Sequence, residues 1–451
     1  MGYRISIDVG GTFTDMTLCE DGIFVGRYKS PTTPEDLVLG VLDCLELACG
    51  QLKIGIRDLL DKSEAFIHGS TTATNAILEN SGAKCGLICT KGTKYTLWKG
   101  EGRRVDVFNY KVPNPKPIIR PYLCLEVHER IDREGQILVP LDEAEVRNMV
   151  RQLRDWNVET IAVCLLWSIV NPEHENLIGN IIEEECPGIP YCLSSDIQPI
   201  LREYHRQSCI VLNAMLQPIV TSYLNRLKVV LADNGFTGEV LVIVSSGGVV
   251  PITEIMRRPV FMLFSGPAMG PVAGLRYGIE ENVDNLLVVD MGGTSYDIST
   301  IIDKRITVTK EARIMRYPTG VAATEILTLG AGGGSVGKVD AAKRLTVGPK
   351  SAGADPGPAC YMKGGTEPTV TDACVVLGYI APNYFLGGKF RISAELARKA
   401  INDGIAKPLK ISVERAAFGI YQVCKENMVG GMIEMTVRRG IDPREFVIVT
   451  G

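Results

Sequence analysis

The sequence predicts an α/β protein that carries one anion-binding hairpin twice. The run DVGGTFTD at 8–15 and the run DMGGTSYD at 290–297 each follow an apolar stretch. Each presents an acid, two glycines, a threonine and a second acid in the same order. Around them, short apolar runs alternate with segments whose apolar residues fall at helical spacing, as expected of strands interleaved with helices.

The opening YRISIDVGGTFTDMTLCEDGIFVGRYKS reads as strand, turn, strand, turn, strand. Gly10 and Gly11 permit the first turn, and Glu20, Asp21 and Gly22 signal the second. Leu37, Val38, Val41, Leu42 and Leu45 predict a helix over 34–48. AFIHGSTTATNAILENS reads as a strand ending at His68, with a helix beginning among the Ser/Thr residues. LDEAEVRNMVRQLRDWN is an amphipathic helix, VETIAVCLLWS a buried strand, and a further helix is expected over about 172–185. A long helical pattern covers 203–232 with an interruption at Pro218. EVLVIVSSGG is a strand running into a glycine pair, and NLLVVDMGGTSYDISTII carries the second octet. The segment VGPKSAGADPGPACY is read as a loop, because Gly and Pro block regular structure.

The 451 residues are 45% hydrophobic and 22% charged, an ordinary globular composition. A net charge of −4 gives no basic footprint for nucleic acid. No apolar run approaches a membrane span, and no leader pattern opens the chain, so a cytoplasmic location is the expectation. Most of the thirteen cysteines sit in apolar stretches as small core residues, and Cys85 and Cys89 have no second pair at zinc-finger spacing. The four histidines are too scattered to suggest a metal cluster.

An acid at a strand end followed by Gly-Gly-Thr has a physical use. Glycines let backbone N–H groups approach an anion without a Cβ in the way, and successive N–H groups form a concave anion site. Thr12, Thr14 and Thr294 add hydroxyl donors. Asp8 and Asp290 would repel phosphate directly, so Mg²⁺ (or Mn²⁺), acting through its waters, is expected to mediate. Two such hairpins facing each other could grip one polyphosphate. Neither octet is a Walker A loop, because no Gly-Lys-Ser/Thr follows, and neither has dinucleotide spacing. A third glycine-rich run, GAGGG at 330–334, lacks an acid at its head; it suits close approach to a flat ring or ribose, or else a tight turn opening a helix.

With these residues in view, the chain resembles the hydantoinase A/oxoprolinase family. DVGGTFTD, HGSTTATNAI, REYHRQSCIVLNA, SSGG, SGPAMGPVAG, DMGGTSYDIST, GAGGGSVGKVD and VGPKSAGADPGPACY occur in the family's order across essentially the whole chain. The resemblance implies duplicated domains like those of the acetate kinase, sugar kinase, Hsp70 and actin group, set around a nucleotide cleft. It divides the chain into an N-terminal domain at 1–198 and a hydantoinase A domain at 199–451. It implies ATP as cofactor, with Asp8, Gly10, Gly11, Thr12, Thr14 and Asp15 as the first phosphate loop. Asp290, Gly292, Gly293, Thr294 and Asp297 form the second, and Gly332, Gly333 and Gly334 are nucleotide-side glycines. Asp15, Asp297, Glu203 and His205 are the candidates for a general base. Tyr296 and His205 depart from the residues common in the family and bear on specificity. The chain stops at REFVIVTG, where family members continue, so a split subunit or a partial chain is expected, with a hydantoinase B-type partner in a hetero-oligomer.

The implied function is an ATP-binding subunit of a cyclic amide hydrolase, of hydantoin or 5-oxoproline type. A subunit of an acetone- or acetophenone-type ketone carboxylase is the alternative, and a non-catalytic nucleotide-binding module a third reading.

Overall fold

Along the first strand, β1 (Tyr3–Val9), buried and exposed positions alternate: Ile5, Ile7 and Val9 face the core, and Arg4, Ser6 and Asp8 face outward. The structure, a computed structural model, describes residues 2–11, 13–33, 35–100, 109, 111–112, 117–310, 312–388 and 390–451, without the side chains of 386–387. Its chain forms two compact units, Met1–Ala268 with Val308–Ala323, and Met269–Thr307 with Thr324–Gly451. The first unit thus runs on to Ala268 and takes back Val308–Ala323, whereas the resemblance implies a boundary at 198/199.

In the first unit, β2 (Phe13–Glu20) returns antiparallel to β1, and β3 (Ile23–Pro31) continues the meander. Helix α1 (Leu37–Leu52) begins at Asp36, whose carboxylate accepts from the N–H of Val38. Strand β4 (Ser63–Ser70) then adds parallel to β1, and α2 (Thr72–Leu78) follows it directly. A second sheet contains β5 (Cys85–Thr90), β6 (Cys124–Val127), β7 (Thr160–Cys164) and β8 (Tyr191–Leu193), with α3 (Glu143–Asp155) and α4 (Glu173–Glu185) between them. Its order is β8-β7-β5-β6, all parallel, and every residue of β5 and β7 is buried. That continuous burial is the signature of strands covered on both faces.

Helix α5 (Glu203–Asp233) runs 31 residues without a break, with Pro218 inside it. The interruption expected there is absent. Cys209, Ile210, Val211, Leu212, Ala214 and Leu216 are all buried just ahead of the proline, and this packing outweighs a local cost of about 3 kcal/mol. Strands β9 (Glu239–Ile243) and β10 (Val249–Pro251) complete the first sheet in the order β10-β9-β4-β1-β2-β3.

The second unit repeats the core of that plan. Strand β11 (Leu286–Met291) pairs antiparallel with β12 (Tyr296–Ile302), which leads to β13 (Arg305–Ile306). A later strand, β14 (Ile326–Leu329), also lies antiparallel to β12. Next come the paired β15 (Ser335–Val339) and β16 (Leu345–Ser351), then α6 (Val370–Val376) and α7 (Val413–Met435). The last strand, β17 (Val447–Thr450), adds parallel to β11 as β4 adds to β1. The first part of VGPKSAGADPGPACY thus lies in a strand; the two-stranded ribbon tolerates Pro349 because its outer edge needs no ladder N–H. The core joins Leu287, Val289, Tyr296 and Ile298 of the sheet to Ala373, Ala416 and Ile420 of the helices. Among the described residues, no helix is long and apolar enough to cross a membrane. The architecture is the α/β class that the sequence predicts.

Candidate functional site

The two octets fold to the same local geometry. In the first, Asp8 stands opposite Asp15 across the β1–β2 ladder, and Gly10 N–H closes the turn on the carbonyl of Phe13 at 3.0 Å. In the second, Asp290 stands opposite Asp297, and Gly292 N–H closes on Ser295 at 3.0 Å. Among the described residues, none accepts from the N–H groups of Gly11, Gly293 or Thr294. Each turn therefore has exposed backbone N–H groups without an acceptor among the described residues. Thr12 lies outside the described residues.

Side chains set the first turn from behind. Thr14 is fully buried, its hydroxyl 3.1 Å from that of Thr32, which donates to the Gly10 carbonyl at 2.9 Å. The Thr14 hydroxyl thus braces the turn from the interior. Lys29 Nζ lies 2.9 and 2.8 Å from the two carboxylate oxygens of Asp15, which is therefore already engaged. Asp8 is exposed, yet the protein around it excludes enough water to push its carboxyl above the usual range; the charge of Asp15 adds to this and Lys29 opposes it. Gly69 makes room for Asp8: a Cβ there would stand 3.1 Å from its Oδ1.

In the second unit the GAGGG run packs directly on the hairpin. Gly333 N–H donates to Gly292 at 3.1 Å and Gly334 N–H to Gly293 at 2.6 Å. A Cβ on Gly332 would meet the Gly293 and Thr294 backbone at 2.7 Å, so only glycine fits. These glycines join two strands, β14 and β15, and do not open a helix. A cavity of about 500 Å³ begins at Gly330 and Ala331 and is edged by Glu426, Asn427 and Glu434 of α7. Burial raises the Asp297 carboxyl pKa; a 2.5 Å bond from the Thr328 hydroxyl opposes this, and the charge of Asp290 adds to it. Thr294 is exposed, its hydroxyl 3.4 Å from that of Ser351.

A family model described as Hydantoinase/oxoprolinase matches residues 206–451, and one for the N-terminal region of the same family matches 4–186. The chain belongs to the hydantoinase/oxoprolinase family. It is 38% identical to the caprolactamase subunit alpha of Pseudomonas jessenii, over 99% of this chain and 64% of that one. It is 37% identical to the acetophenone carboxylase gamma subunit of Aromatoleum aromaticum, over 98% of this chain and 62% of that one. The crystal structure of the ATP-dependent caprolactamase from Pseudomonas jessenii superposes with a TM-score of 0.88 at 37% identity, covering 99% of this chain and 65% of that one. The chain thus spans just under two thirds of the length of these relatives.

Other candidate residues of this hydantoinase/oxoprolinase chain sit elsewhere. Glu203 and His205 open α5, whereas Ile219 of the same helix lines a cavity beside Gly10 and Gly11. At 1.5 Å per residue, Glu203 is about 24 Å and His205 about 21 Å along the axis from Ile219. Neither shares that cavity. Tyr296 is buried in the unit's core and presents nothing to a ligand. All thirteen cysteines are free; Cys89 approaches Cys124, at 3.7 Å, and not Cys85. Among the described residues, no group of three or more His, Cys, Asp or Glu could hold a metal by itself.

Two buried polar residues brace the chain near these motifs: Asp372, which escaped sequence reasoning, and His68, the first residue of the HGSTTATNAI motif. Asp372, fully buried, accepts from the N–H groups of Ala359, Cys360 and Thr369 and from the Thr369 hydroxyl. It therefore anchors the PGPACY run to the start of α6. His68, also fully buried, contacts the Tyr223 hydroxyl through Nε2 at 3.1 Å and leaves Nδ1 without a partner; burial pushes it down to about 4. The signal for each was a polar residue inside an apolar run.

Proposed function

We propose that the chain is the ATP-using subunit of an enzyme that activates a small cyclic amide by phosphoryl transfer, and that both hairpins hold nucleotide phosphate. One observation carries the reading: the same acid-glycine-glycine turn, with the same closing hydrogen bond and unspent N–H groups, occurs in each unit. Such donors stabilise charge as it develops on a transferring phosphoryl group. The paired carboxylates suit a hard divalent cation, Mg²⁺ or Mn²⁺, that keeps several waters and shares phosphate oxygens. Asp8 in the first hairpin and Asp290 in the second are the carboxylates placed for such a cation, each within its own unit. Gly332 to Gly334 act by fixing the second turn, and the cavity edged by Glu426, Asn427 and Glu434 offers acceptors for ribose hydroxyls.

ATP supplies an electrophilic phosphorus to an oxygen that is otherwise a poor leaving group. The amide oxygen bonds to the terminal phosphorus as the bond to the bridging oxygen breaks, and ADP leaves with that electron pair. The former carbonyl carbon, now bearing phosphate, is open to attack by water. The names of the relatives as alpha and gamma subunits support a hetero-oligomer, and we propose a hydantoinase B-type chain as the partner. The acetophenone carboxylase gamma subunit, at 37% identity, supports a second reading in which a ketone enolate oxygen is activated for carboxylation. The native assembly, assayed for ATP cleavage with hydantoin, caprolactam, 5-oxoproline, acetone and acetophenone, separates the two. Cleavage stimulated by none of these while ATP still binds would favour a non-catalytic nucleotide module.

A further inference from the structure

Each hairpin lies in a sheet of the same local order, and the rows of residues that cross the two sheets correspond position by position. Around the first, Gly69 of β4, Asp8 of β1, Asp15 of β2 and Lys29 of β3 are successive cross-strand neighbours. Around the second, Asp290 of β11, Asp297 of β12 and Thr328 of β14 follow one another in the same way. Gly451, just after β17, takes the place of Gly69. A Cβ on Gly69 would lie 3.1 Å from Asp8 Oδ1, and one on Gly451 would lie 3.6 Å from Asp290 Oδ1. Residues directly across a ladder share a face, so each row brings its side chains together. Glycine, aspartate and aspartate recur in both rows. The fourth position differs: it is Lys29 in the first unit and Thr328 in the second.

That exchange changes the charge of the row. Lys29 Nζ meets the two oxygens of Asp15 at 2.9 and 2.8 Å, so one ammonium stands against two carboxylates. Thr328 gives Asp297 a hydroxyl hydrogen at 2.5 Å, which satisfies an oxygen and adds no charge. The lysine also leans toward the turn. Its ammonium stands 4.7 Å above the ring of Phe13, two residues nearer the turn on the same face, and the Phe13 carbonyl is the one that closes on Gly10 N–H. A ring face attracts a cation and holds this one at that end of the ladder. The closing residue of the second turn is Ser295, which offers no ring. Asp15 accepts two of the three ammonium hydrogens, and the third is left for an oxygen brought in beside Gly10 and Gly11. Lys29 is about half exposed, so a ligand can reach it, and an ion pair so exposed adds little to the stability of the fold.

We propose that Lys29 is a phosphate-binding residue, a countercharge built into the first hairpin, through which that hairpin keeps a grip on nucleotide phosphate when no divalent cation is present. The inference rests on the nucleotide reading above and goes beyond it by making the two hairpins unequal. Phosphate meets less repulsion at the row that carries its own ammonium, and the row with Thr328 depends more on a cation supplied with the nucleotide.

The test is calorimetry of ATP binding to the native assembly, once with Mg²⁺ and once with a chelator in its place. The parent should bind ATP in both buffers, more weakly in the chelator. Lys29→Thr, which copies the residue of the second row, should raise the Kd about tenfold or more in the chelator and at most about twofold in Mg²⁺. Lys29→Arg keeps the charge and should bind as the parent does in both buffers, a rescue that loss through misfolding would not allow. Thr328→Lys, the reverse exchange, should shrink the loss of affinity caused by the chelator about fivefold. No ATP binding by the parent in the chelator overturns the proposal. So does a Lys29→Thr effect of equal size in both buffers, or a Lys29→Arg protein as impaired as Lys29→Thr. Absence of Mg·ATP binding to the parent sinks the nucleotide reading itself. Mg·ATP binding by the parent, with a Lys29→Thr protein that matches it in both buffers, sinks the assignment of Lys29 alone.

Discussion

At Gly332 a methyl group has no space, because the Gly293 and Thr294 backbone lies 2.7 Å from where a Cβ would stand. At Gly293 nothing lies within 4 Å of the same point. The two glycines therefore answer to different needs. Gly332→Ala should strain the second hairpin and destabilise the fold by about 1–3 kcal/mol. Gly293→Val should leave the melting temperature near that of the parent yet abolish ATP cleavage, since its methyls fill the approach to the turn. Normal turnover in a folded Gly293→Val protein would refute the assignment of that loop. His68 gives a pH dependence. Its native imidazole is pushed down to about 4, against about 6.5 when unfolded, so the unfolded chain takes up a proton that the native state refuses. Its contribution is complete above about pH 6.5 and is lost as pH falls toward 4, by about 3 kcal/mol across the window. Urea unfolding at pH 7.5, 5.5 and 4.5 should show a smaller loss for His68→Gln; parallel curves would contradict this.

At the scale of elements, Asp372 joins the first turn of α6 to the run that precedes it. Its four accepted hydrogen bonds hold Ala359 and Cys360 as well as the cap residue Thr369. Asp372→Ala leaves three buried N–H groups without that acceptor and should destabilise by about 3 kcal/mol, with Ala359 and Cys360 gaining amide exchange first. Equal exchange protection in the variant would contradict the anchoring role. Both hairpins were legible in the sequence, because period-two burial and paired glycines are local signals. The inward turn of Thr14 was legible too, since it shares parity with Met16 and Leu18, but its hydroxyl suggested a ligand donor instead. The contact of Gly332 with Gly293 was not legible, because nothing local links residues so far apart in the chain. Nor was the continuity of α5 through Pro218, which tertiary packing decides against local preference. The separation of His205 from Gly10 and Gly11 followed only once the helix was a straight count of residues.

For the whole molecule, both units contain an antiparallel hairpin whose first strand gains a parallel neighbour, β4 in one and β17 in the other. Each hairpin sets an acid pair beside N–H groups that have no acceptor among the described residues. The central claim is that both hairpins bind the same class of ligand, nucleotide phosphate. Calorimetric titration of Mg·ATP into the parent protein, Asp8→Asn and Asp290→Asn tests it most directly. Each substitution should weaken binding at least tenfold, about 1.4 kcal/mol, with the fold retained. Unchanged Mg·ATP affinity in both variants would contradict the account.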